Sequence, residues 1–166
     1  NLSYCMRLID NILCSSLQEL SRKGAQLKTL CFKPLNRSNR TLPLTAFIAL
    51  TTLKELSVLK LDCLPVLKSS SPPLPVALEL KRLTLYGNLI GAMINNPLIN
   101  SDYILRWLFA NEFPKLQRLH LAYFSGNHTT DNGISNCLRT CVNLTYLKLR
   151  DMPFQITNSL QCIAEL

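Results

Sequence analysis

The chain has 166 residues, of which 48% are hydrophobic and 17% charged, and its formal net charge is +8 at pH 7. This length suits a single domain over residues 1–166, and the apolar content excludes wholesale disorder. No apolar run approaches the roughly 18 residues that would span a bilayer, which argues against a membrane protein and against a membrane partner.

The first half of the chain predicts two helices and two strands. Apolar residues at helical spacing predict a helix from Arg7 to Lys23, which ends near Gly24. The first strand is expected at about 29–33, a polar loop over 36–41, a short helix or turn over 44–50, and the second strand at about 57–62. The proline- and serine-rich stretch over 66–76 predicts an exposed connection.

The second half predicts three further strands with helices between them. The third strand is expected at 82–86, and Ser101 is a favourable N-cap for a helix that extends to Phe113 before Pro114. The fourth strand is expected at 118–122. Apolar residues three and four apart over 134–141 then predict an amphipathic helix, followed by the fifth strand at 145–150.

The five strand motifs indicate an internal repeat. Their central leucines lie at 30, 59, 83, 119 and 147, so successive copies are 29, 24, 36 and 28 residues apart. A unit of this size cannot bury its apolar face alone. Neighbouring units are therefore expected to stack, and self-similarity at this period is typical of repeat architectures.

Two copies carry a fuller motif. Residues Leu80–Asn88, followed by Leu89 and Ile90, fit the pattern L-x-x-L-x-L-x-x-N-x-L through its asparagine. The fifth unit contains Thr130–Asp131, Gly133–Ile134, Cys141 and Asn143–Leu144, and it is similar to the cysteine-containing repeat subclass found in many F-box proteins. In the four copies other than the third, the ninth position holds Leu35, Leu64, Phe124 or Met152.

The chain thus resembles a leucine-rich repeat protein. The resemblance implies an α/β fold of the ribonuclease-inhibitor-like kind, a right-handed β-α superhelix with a curved parallel sheet on the concave face and helices on the convex face. It covers nearly the whole chain, as a single domain of about five to six irregular repeats. Residues 1–5 read as the tail of an earlier unit and 157–166 as a helix without its following strand, so we expect a segment of a longer solenoid.

The cysteines favour an intracellular setting. There are seven, an odd number, mostly on predicted apolar faces, which indicates free thiols in a reducing compartment. A metal site from Cys137, Cys141 and His128 is disfavoured because no fourth ligand and no paired C-x-x-C spacing accompany them. Sequons at Asn1, Asn36, Asn39, Asn127 and Asn143 keep secretion as a minor alternative.

Catalysis finds little support in the sequence. No dinucleotide-binding or phosphate-binding glycine motif, zinc-protease motif or nucleophile elbow is present. The chain has two histidines and five glycines, and no paired carboxylates at a spacing that would put them in one cleft. We therefore expect a protein that is not an enzyme and that has no catalytic residue, cofactor or metal.

Strand alternation separates inward leucines from outward positions. The outward positions are Thr29, Cys31, Lys33, Val58, Lys60, Asp62, Arg82, Thr84, Tyr86, Arg118, His120, Ala122, Tyr146, Lys148 and Arg150. Six of these fifteen are Lys or Arg and one is acidic, which predicts a basic face dotted with aromatic residues. The candidate partner-binding residues are Lys33, Lys60, Arg82, Tyr86, Arg118, His120, Tyr146, Lys148 and Arg150.

Such a face suits a protein partner with an acidic or phosphorylated segment, which Arg and Lys recognise through charge-assisted hydrogen bonds. The F-box-like resemblance implies, more narrowly, the substrate-recognition half of a ubiquitin ligase receptor. Two alternatives remain open. One is a nucleic-acid-associated protein, which would need more stacking aromatic residues than Tyr86 and Tyr146. The other is a structural scaffold or a segment of an innate-immune-type sensor.

Overall fold

The structure is a computed structural model, and it describes most of the sheet and the helices beside it. The described residues are 15, 16, 18, 19, 22, 27–32, 41–42, 44–51, 53, 56–62, 64–65, 67, 71, 79–87, 101–110, 113–124, 131–152, 157 and 161. Of the predicted helix over 7–23, residues 15, 16, 18, 19 and 22 are helical, and the remainder lies outside the described residues.

Seven strands and three helices have defined bounds. The strands are β1 Thr29–Phe32, β2 Thr41–Leu42, β3 Val58–Leu61, β4 Leu64–Pro65, β5 Arg82–Tyr86, β6 Arg118–Ala122 and β7 Tyr146–Arg150. The helices are α1 Leu44–Leu50, α2 Ser101–Leu108 and α3 Asp131–Arg139. All five predicted strands are confirmed to within one residue at either end.

Five of the strands form one parallel sheet in the order β1-β3-β5-β6-β7. The register pairs the motif leucines with one another from strand to strand. One line of Cα partners joins Leu30, Leu59, Leu83, Leu119 and Leu147, and a second joins Leu61, Leu85, Leu121 and Leu149. The fold is therefore α/β, as predicted, and the motif leucines within the five strands lie on the same face.

The leucine face and the helices share one hydrophobic core. Ile104, Leu105 and Leu108 of α2 lie on one side of that helix and belong to the same buried cluster as the strand leucines. The apolar stripe predicted over 134–141 is buried in full, since Ile134, Cys137 and Leu138 of α3 and Cys141 just beyond it are at most 1% exposed. Phe47 of α1 contacts Trp107 of α2 edge-to-face, with ring centroids 5.5 Å apart. The three helices therefore cover the leucine face of the sheet.

One part of the predicted core is only half-buried. Leu147 and Leu149 pack against the core cluster without being enclosed by it, whereas their register partners Leu119 and Leu121 are fully buried. The difference follows from position, because β7 is the last strand in the sheet order and pairs only with β6 among the described residues. The prediction that the inward leucines form the core therefore holds for Leu147 and Leu149 through their contact with the cluster, although neither is enclosed by it.

A short turn recurs before three of the strands. It runs over Leu53–Leu56, Phe113–Leu116 and Cys141–Leu144, and in each case the last N–H donates to the first carbonyl at 3.0–3.1 Å. The strand begins two residues later every time. Both ends of each turn are buried apart from Leu144, which is half-buried. Side-chain burial and backbone geometry thus repeat together.

A second repeated feature, a pair of backbone hydrogen bonds, fixes where each strand begins relative to its neighbour. The carbonyl of the residue before one strand accepts two N–H groups from the start of the next strand, at 2.8–3.1 Å. The accepting residues, Lys28, Ser57, Lys81 and Gln117, occupy the same place in successive units. Ser57 and Thr145 reinforce the pattern, since their hydroxyls donate to the carbonyls of Lys28 and Gln117. All five strands are thereby held in one register.

A second, smaller sheet was not predicted. Strands β2 and β4 pair in parallel, with Thr41 opposite Leu64 and Leu42 opposite Pro65. Beyond β4, Leu67 is 1% exposed, so the expectation of an exposed connection over 66–76 is wrong at this residue.

Helix α2 ends at Leu108, earlier than the predicted Phe113, because the chain turns there and buries Phe109 and Phe113 against each other.

Candidate functional site

The face of the large sheet opposite the leucines is called the outer face here. It carries Thr29, Cys31, Val58, Lys60, Arg82, Thr84, Tyr86, Arg118, His120, Ala122, Tyr146, Lys148 and Arg150. Eight of the nine candidate binding residues lie on it, and Lys33 lies outside the described residues. Asp62 follows β3 directly. A parallel sheet in register brings these positions together, as the alternation predicts.

The register arranges the outer face in three rows that run across the strands. The first row contains Arg82, Arg118 and Tyr146 as neighbours. The second contains Lys60, Thr84, His120 and Lys148. The third contains Tyr86, Ala122 and Arg150. Each row therefore includes at least one cation, and two arginines are direct neighbours in the first.

Three aromatic side chains meet at the outer face, and they are called the aromatic cluster here: Tyr86, His120 and Tyr123. Tyr86 meets His120 edge-on at 5.6 Å between ring centroids and stacks on Tyr123 at 6.0 Å. Cations border the cluster on two sides. The Lys60 Nζ lies 5.2 Å from the Tyr86 centroid, and the Arg150 Cζ lies 5.3 Å from the Tyr123 centroid.

Tyr123 is the functional candidate that sequence alternation missed. It follows Ala122, so a continued strand would have turned it toward the leucine face. Its φ of 61° is left-handed instead, and its ring stacks on Tyr86. Asp151, which follows β7 at the equivalent place, is also left-handed, with φ 51°. A left-handed non-glycine residue costs on the order of 1–3 kcal/mol, and such strain concentrates at functional sites.

Most cations of the outer face have no carboxylate partner. Among the described residues, no carboxylate lies within ion-pair distance of Lys60, Arg82, Arg118 or Lys148. Arg150 does pair with Asp151 at 3.2 Å, but both side chains are more than half exposed and the pair is solvent-screened. Arg118 lies over the Tyr146 ring at 5.7 Å. The outer face is therefore positively charged and available to an anion.

His120 is neutral at pH 7 and has an unsatisfied nitrogen. Burial lowers its pKa from 6.5, and the positive charges of Lys148, Lys60 and Arg150 lower it further. Its Nε2 atom is buried without a hydrogen-bond partner, and so is Oδ1 of Asp62. A buried polar atom without a partner costs roughly 1–3 kcal/mol, so both atoms mark places where a ligand group could gain binding energy.

Ala122 corrects the sequence interpretation of the outer face. It was expected to be an outward position, and by register it lies between Tyr86 and Arg150, yet it is 0% exposed. A methyl group between a tyrosine and an arginine is shielded by its larger neighbours. Ala122 therefore lies on the outer face as the alternation predicts, but it contributes no exposed surface.

Cys137 of α3 and Cys141, which lies two residues beyond that helix, belong to the core. Cys137 and Cys141 are buried, and the Cys141 thiol donates to the Cys137 carbonyl at 3.3 Å. Burial raises the pKa of Cys137 well above its usual value, which disfavours the reactive thiolate. Cys31, the third cysteine in the described part of the chain, is free and half-buried. Within that part, no three His, Cys, Asp or Glu side chains are grouped to hold a metal ion.

None of the helices in the described ranges is long and apolar enough to cross a membrane.

Comparisons with models of known protein families, with curated proteins and with solved structures find no match to this chain. The function must therefore be inferred from the arrangement of the outer face.

Proposed function

We propose that this chain is a leucine-rich repeat solenoid whose outer face binds an acidic or phosphorylated segment of a protein partner without catalysing a reaction. The observation that carries the proposal is the group of cations on that face. Lys60, Arg82, Arg118, Lys148 and Arg150 come from four consecutive strands of the sheet, and four of them have no carboxylate partner among the described residues.

The repeat interpretation is supported by backbone geometry as well as by leucine spacing. The same four-residue turn precedes β3, β6 and β7, and the same double hydrogen bond joins each strand start to the next. Two independent local features that recur with the leucines are expected of stacked equivalent units. In that architecture the outer face corresponds to the concave surface, where alternating residues are free to contact a ligand.

The binding interpretation rests on composition and position together. Arg and Tyr dominate the energetics of protein interfaces, and here they are neighbours on one face. Tyr86 and Tyr123 stack on each other, and Lys60 and Arg150 lie over their rings, so contacts with the rings position the charged groups before a partner arrives. An anionic segment would exchange contacts with water for charge-assisted hydrogen bonds, which are roughly twice as strong as neutral ones.

The test uses two charge-reversal variants with the same formal charge. In the site variant, Arg118→Glu is combined with Arg150→Glu. In the control, Arg106→Glu is combined with Arg139→Glu, which lie exposed on α2 and α3. Each Arg→Glu change removes two positive charges, so both variants fall from +8 to +4. Thermal melts establish whether each variant is folded before binding is compared.

Binding is measured on peptides selected from a random display library against the unmodified chain. We expect selection of Asp- and Glu-rich sequences, a loss of affinity of at least about tenfold in the site variant, and little change in the control. Affinity should also fall between about 0.1 M and about 1 M salt, as the Debye length shrinks from about 10 Å to about 3 Å. Equal affinity of the two variants would show that the contact surface lies elsewhere.

A nucleic-acid ligand is the second candidate, and the aromatic cluster favours it. The Tyr86–Tyr123 stack, with Arg150 over one ring, supplies the additional aromatic surface that a single-stranded ligand requires. A fluorescent oligothymidine separates the two candidates. Nanomolar binding of the oligonucleotide that Tyr123→Ala weakens would favour nucleic acid, whereas selective binding of acidic peptides favours the protein partner.

The narrower roles stay predictions. Substrate recognition for a ubiquitin ligase is supported by the resemblance of the fifth unit to F-box repeats and by the character of the outer face. A scaffold or an innate-immune-type sensor would use the same solenoid without needing the cations. The intracellular setting, with secretion as the minor alternative, likewise stays a prediction.

A further inference from the structure

Thr84 and His120 lie at the centre of the charged part of the outer face. They are register partners on β5 and β6, with Lys60 next to Thr84 on one side and Lys148 next to His120 on the other. Adjacent strands are separated by roughly 4.8 Å, so the two lysines flank the pair closely. This central pair is therefore bracketed by positive charge along its row.

Two arginines complete the arrangement on a third side. Arg82 precedes Thr84 by two residues and Arg118 precedes His120 by two, so both lie on the same face, roughly 6.6 Å away along the strands. Four of the six outer-face positions that surround the central pair are consequently cations. The remaining two are Tyr86 and Ala122.

The groups that face His120 come from every neighbouring element. The cations are Lys60 on β3, Arg82 on β5, Arg118 on its own strand, and Lys148 and Arg150 on β7, and the aromatic groups are Tyr86 and Tyr123. Among the described residues, the carboxylates at this end of the sheet are Asp62, which follows β3, and Asp151, which pairs with Arg150. Positive charge therefore exceeds negative charge around the imidazole.

We propose that Thr84 and His120 are the centre of a phosphate-binding site that takes a phosphomonoester dianion. This inference rests on the proposed function and names the chemistry of the ligand. A phosphomonoester carries roughly −1.5 to −2 charge and three acceptor oxygens. The pair is surrounded by donors on three sides and supplies a hydroxyl at its middle, an arrangement that suits three oxygens better than the two of a planar carboxylate.

The unsatisfied nitrogen of His120 gives the site a specific partner for one oxygen. Nε2 is buried and has no hydrogen-bond partner. The χ2 torsion of histidine is broad, so the ring can rotate to present this nitrogen to an acceptor. A phosphate oxygen at Nε2 would satisfy the atom and, as a negative charge, would favour the imidazolium form. Binding should therefore raise the pKa of His120, which burial and, after it, the surrounding cations lower.

The experiment follows the two histidines by NMR while three probes are added. The probes are a short phosphoserine peptide, the same peptide with aspartate in place of phosphoserine, and inorganic phosphate. His128, the other histidine of the chain, is distinguished by a His128→Gln variant. Affinity is measured by titration on the unmodified chain, on Thr84→Val, on His120→Asn, and on Arg106→Gln as an exposed control on α2.

We expect the phosphoserine peptide to shift signals from β5, β6 and β7, to raise the pKa of His120, and to bind at least about tenfold more tightly than the aspartate peptide, equivalent to ~1.4 kcal/mol. His120→Asn and Thr84→Val should each weaken that binding, while Arg106→Gln should not. Equal affinity for inorganic phosphate would support the site and assign it to a free phosphate compound instead of a peptide.

Two other results would overturn the inference in distinguishable ways. If the aspartate peptide binds as well as the phosphoserine peptide, the phosphate site is refuted while a general acidic partner stands. If no probe shifts the signals of the three strands and the Arg118→Glu, Arg150→Glu variant loses nothing, the phosphate site and the proposed function are refuted together.

Discussion

Gly87 follows β5 at a place where the chain has no room for a side chain. Its N–H donates to the Ala122 carbonyl at 2.8 Å, which extends the pairing of β5 with β6. A Cβ at this position would lie 2.8–3.0 Å from three ring carbons of Phe124, and that ring is 0% exposed. The neighbour is a rigid buried ring, so it cannot move aside easily.

Two opposing effects decide the result of Gly87→Ala. Without a clash, the substitution would stabilise the fold by about 0.4–1 kcal/mol, because alanine restricts the unfolded chain. Overpacking a filled core costs about 1–3 kcal/mol. The clash dominates, and we expect a net loss of about 1–2 kcal/mol. For a chain of this size that loss lowers the melting temperature by roughly 2–8 °C, which circular dichroism resolves.

A double-mutant cycle with Phe124→Leu tests the cause. Replacing the ring with a smaller side chain relieves the contact, so Gly87→Ala should cost at least about 0.5 kcal/mol less in that background. Tyr86 and Tyr123 precede these two residues, so Gly87→Ala should also weaken ligand binding at the aromatic cluster. An equal cost in both backgrounds, or a stabilised single variant, would refute the role of the Phe124 contact.

Three further predictions concern the core and His120. Leu119→Ala should lower the free energy of unfolding by about 2–5 kcal/mol, and more than Leu147→Ala, because only Leu119 is fully buried; equal urea midpoints would contradict this difference. Non-reducing mass spectrometry should show seven free thiols, and a disulfide would reverse the reducing-compartment prediction. Because the pKa of folded His120 is lowered from 6.5, its stabilising contribution should be complete above that pH and be lost as the pH falls below it. Between about pH 7 and about pH 5 the melting temperature should therefore fall less steeply for His120→Gln than for the unmodified chain. Parallel plots of melting temperature against pH would contradict the lowered pKa.

The sheet and its buried face can be predicted from the sequence because the same pair of alternating leucines recurs in successive strands. Alternation at Leu83 and Leu85 fixes which face of β5 is buried, and the same pair recurs at Leu119 and Leu121. A slip of one residue would expose every leucine at once, so the register has a large energetic preference. That constraint also placed eight of the nine candidate binding residues on one face.

The details of the site depend on geometry that alternation does not contain. Tyr123 reaches the outer face only because its backbone is left-handed, which is uncommon for a bulky residue and has no sequence signal of its own. Ala122 is hidden by its neighbours' size and not by its own direction. Strand β4 contains Pro65, a residue that normally argues against a strand, and two-residue pairings carry too little pattern to predict.

Substituting the two neighbouring arginines of the outer face should show whether their mutual repulsion lowers the stability of the fold. Arg82 and Arg118 are direct register partners, and like charges at such positions cost roughly 0.2–1 kcal/mol. Arg118 recovers part of this cost through its contact with Tyr146, since an exposed cation–π contact contributes about 0.5–1 kcal/mol. Arg82 has no such contact among the described residues. We therefore expect Arg82→Gln to raise the melting temperature at low salt, with the gain fading at about 1 M salt, and Arg118→Gln to leave it nearly unchanged. Both variants should weaken binding of an anionic peptide. If Arg82→Gln destabilises the chain equally at every salt concentration, Arg82 is held by a favourable contact, and the outer face stores no repulsion for a ligand to relieve.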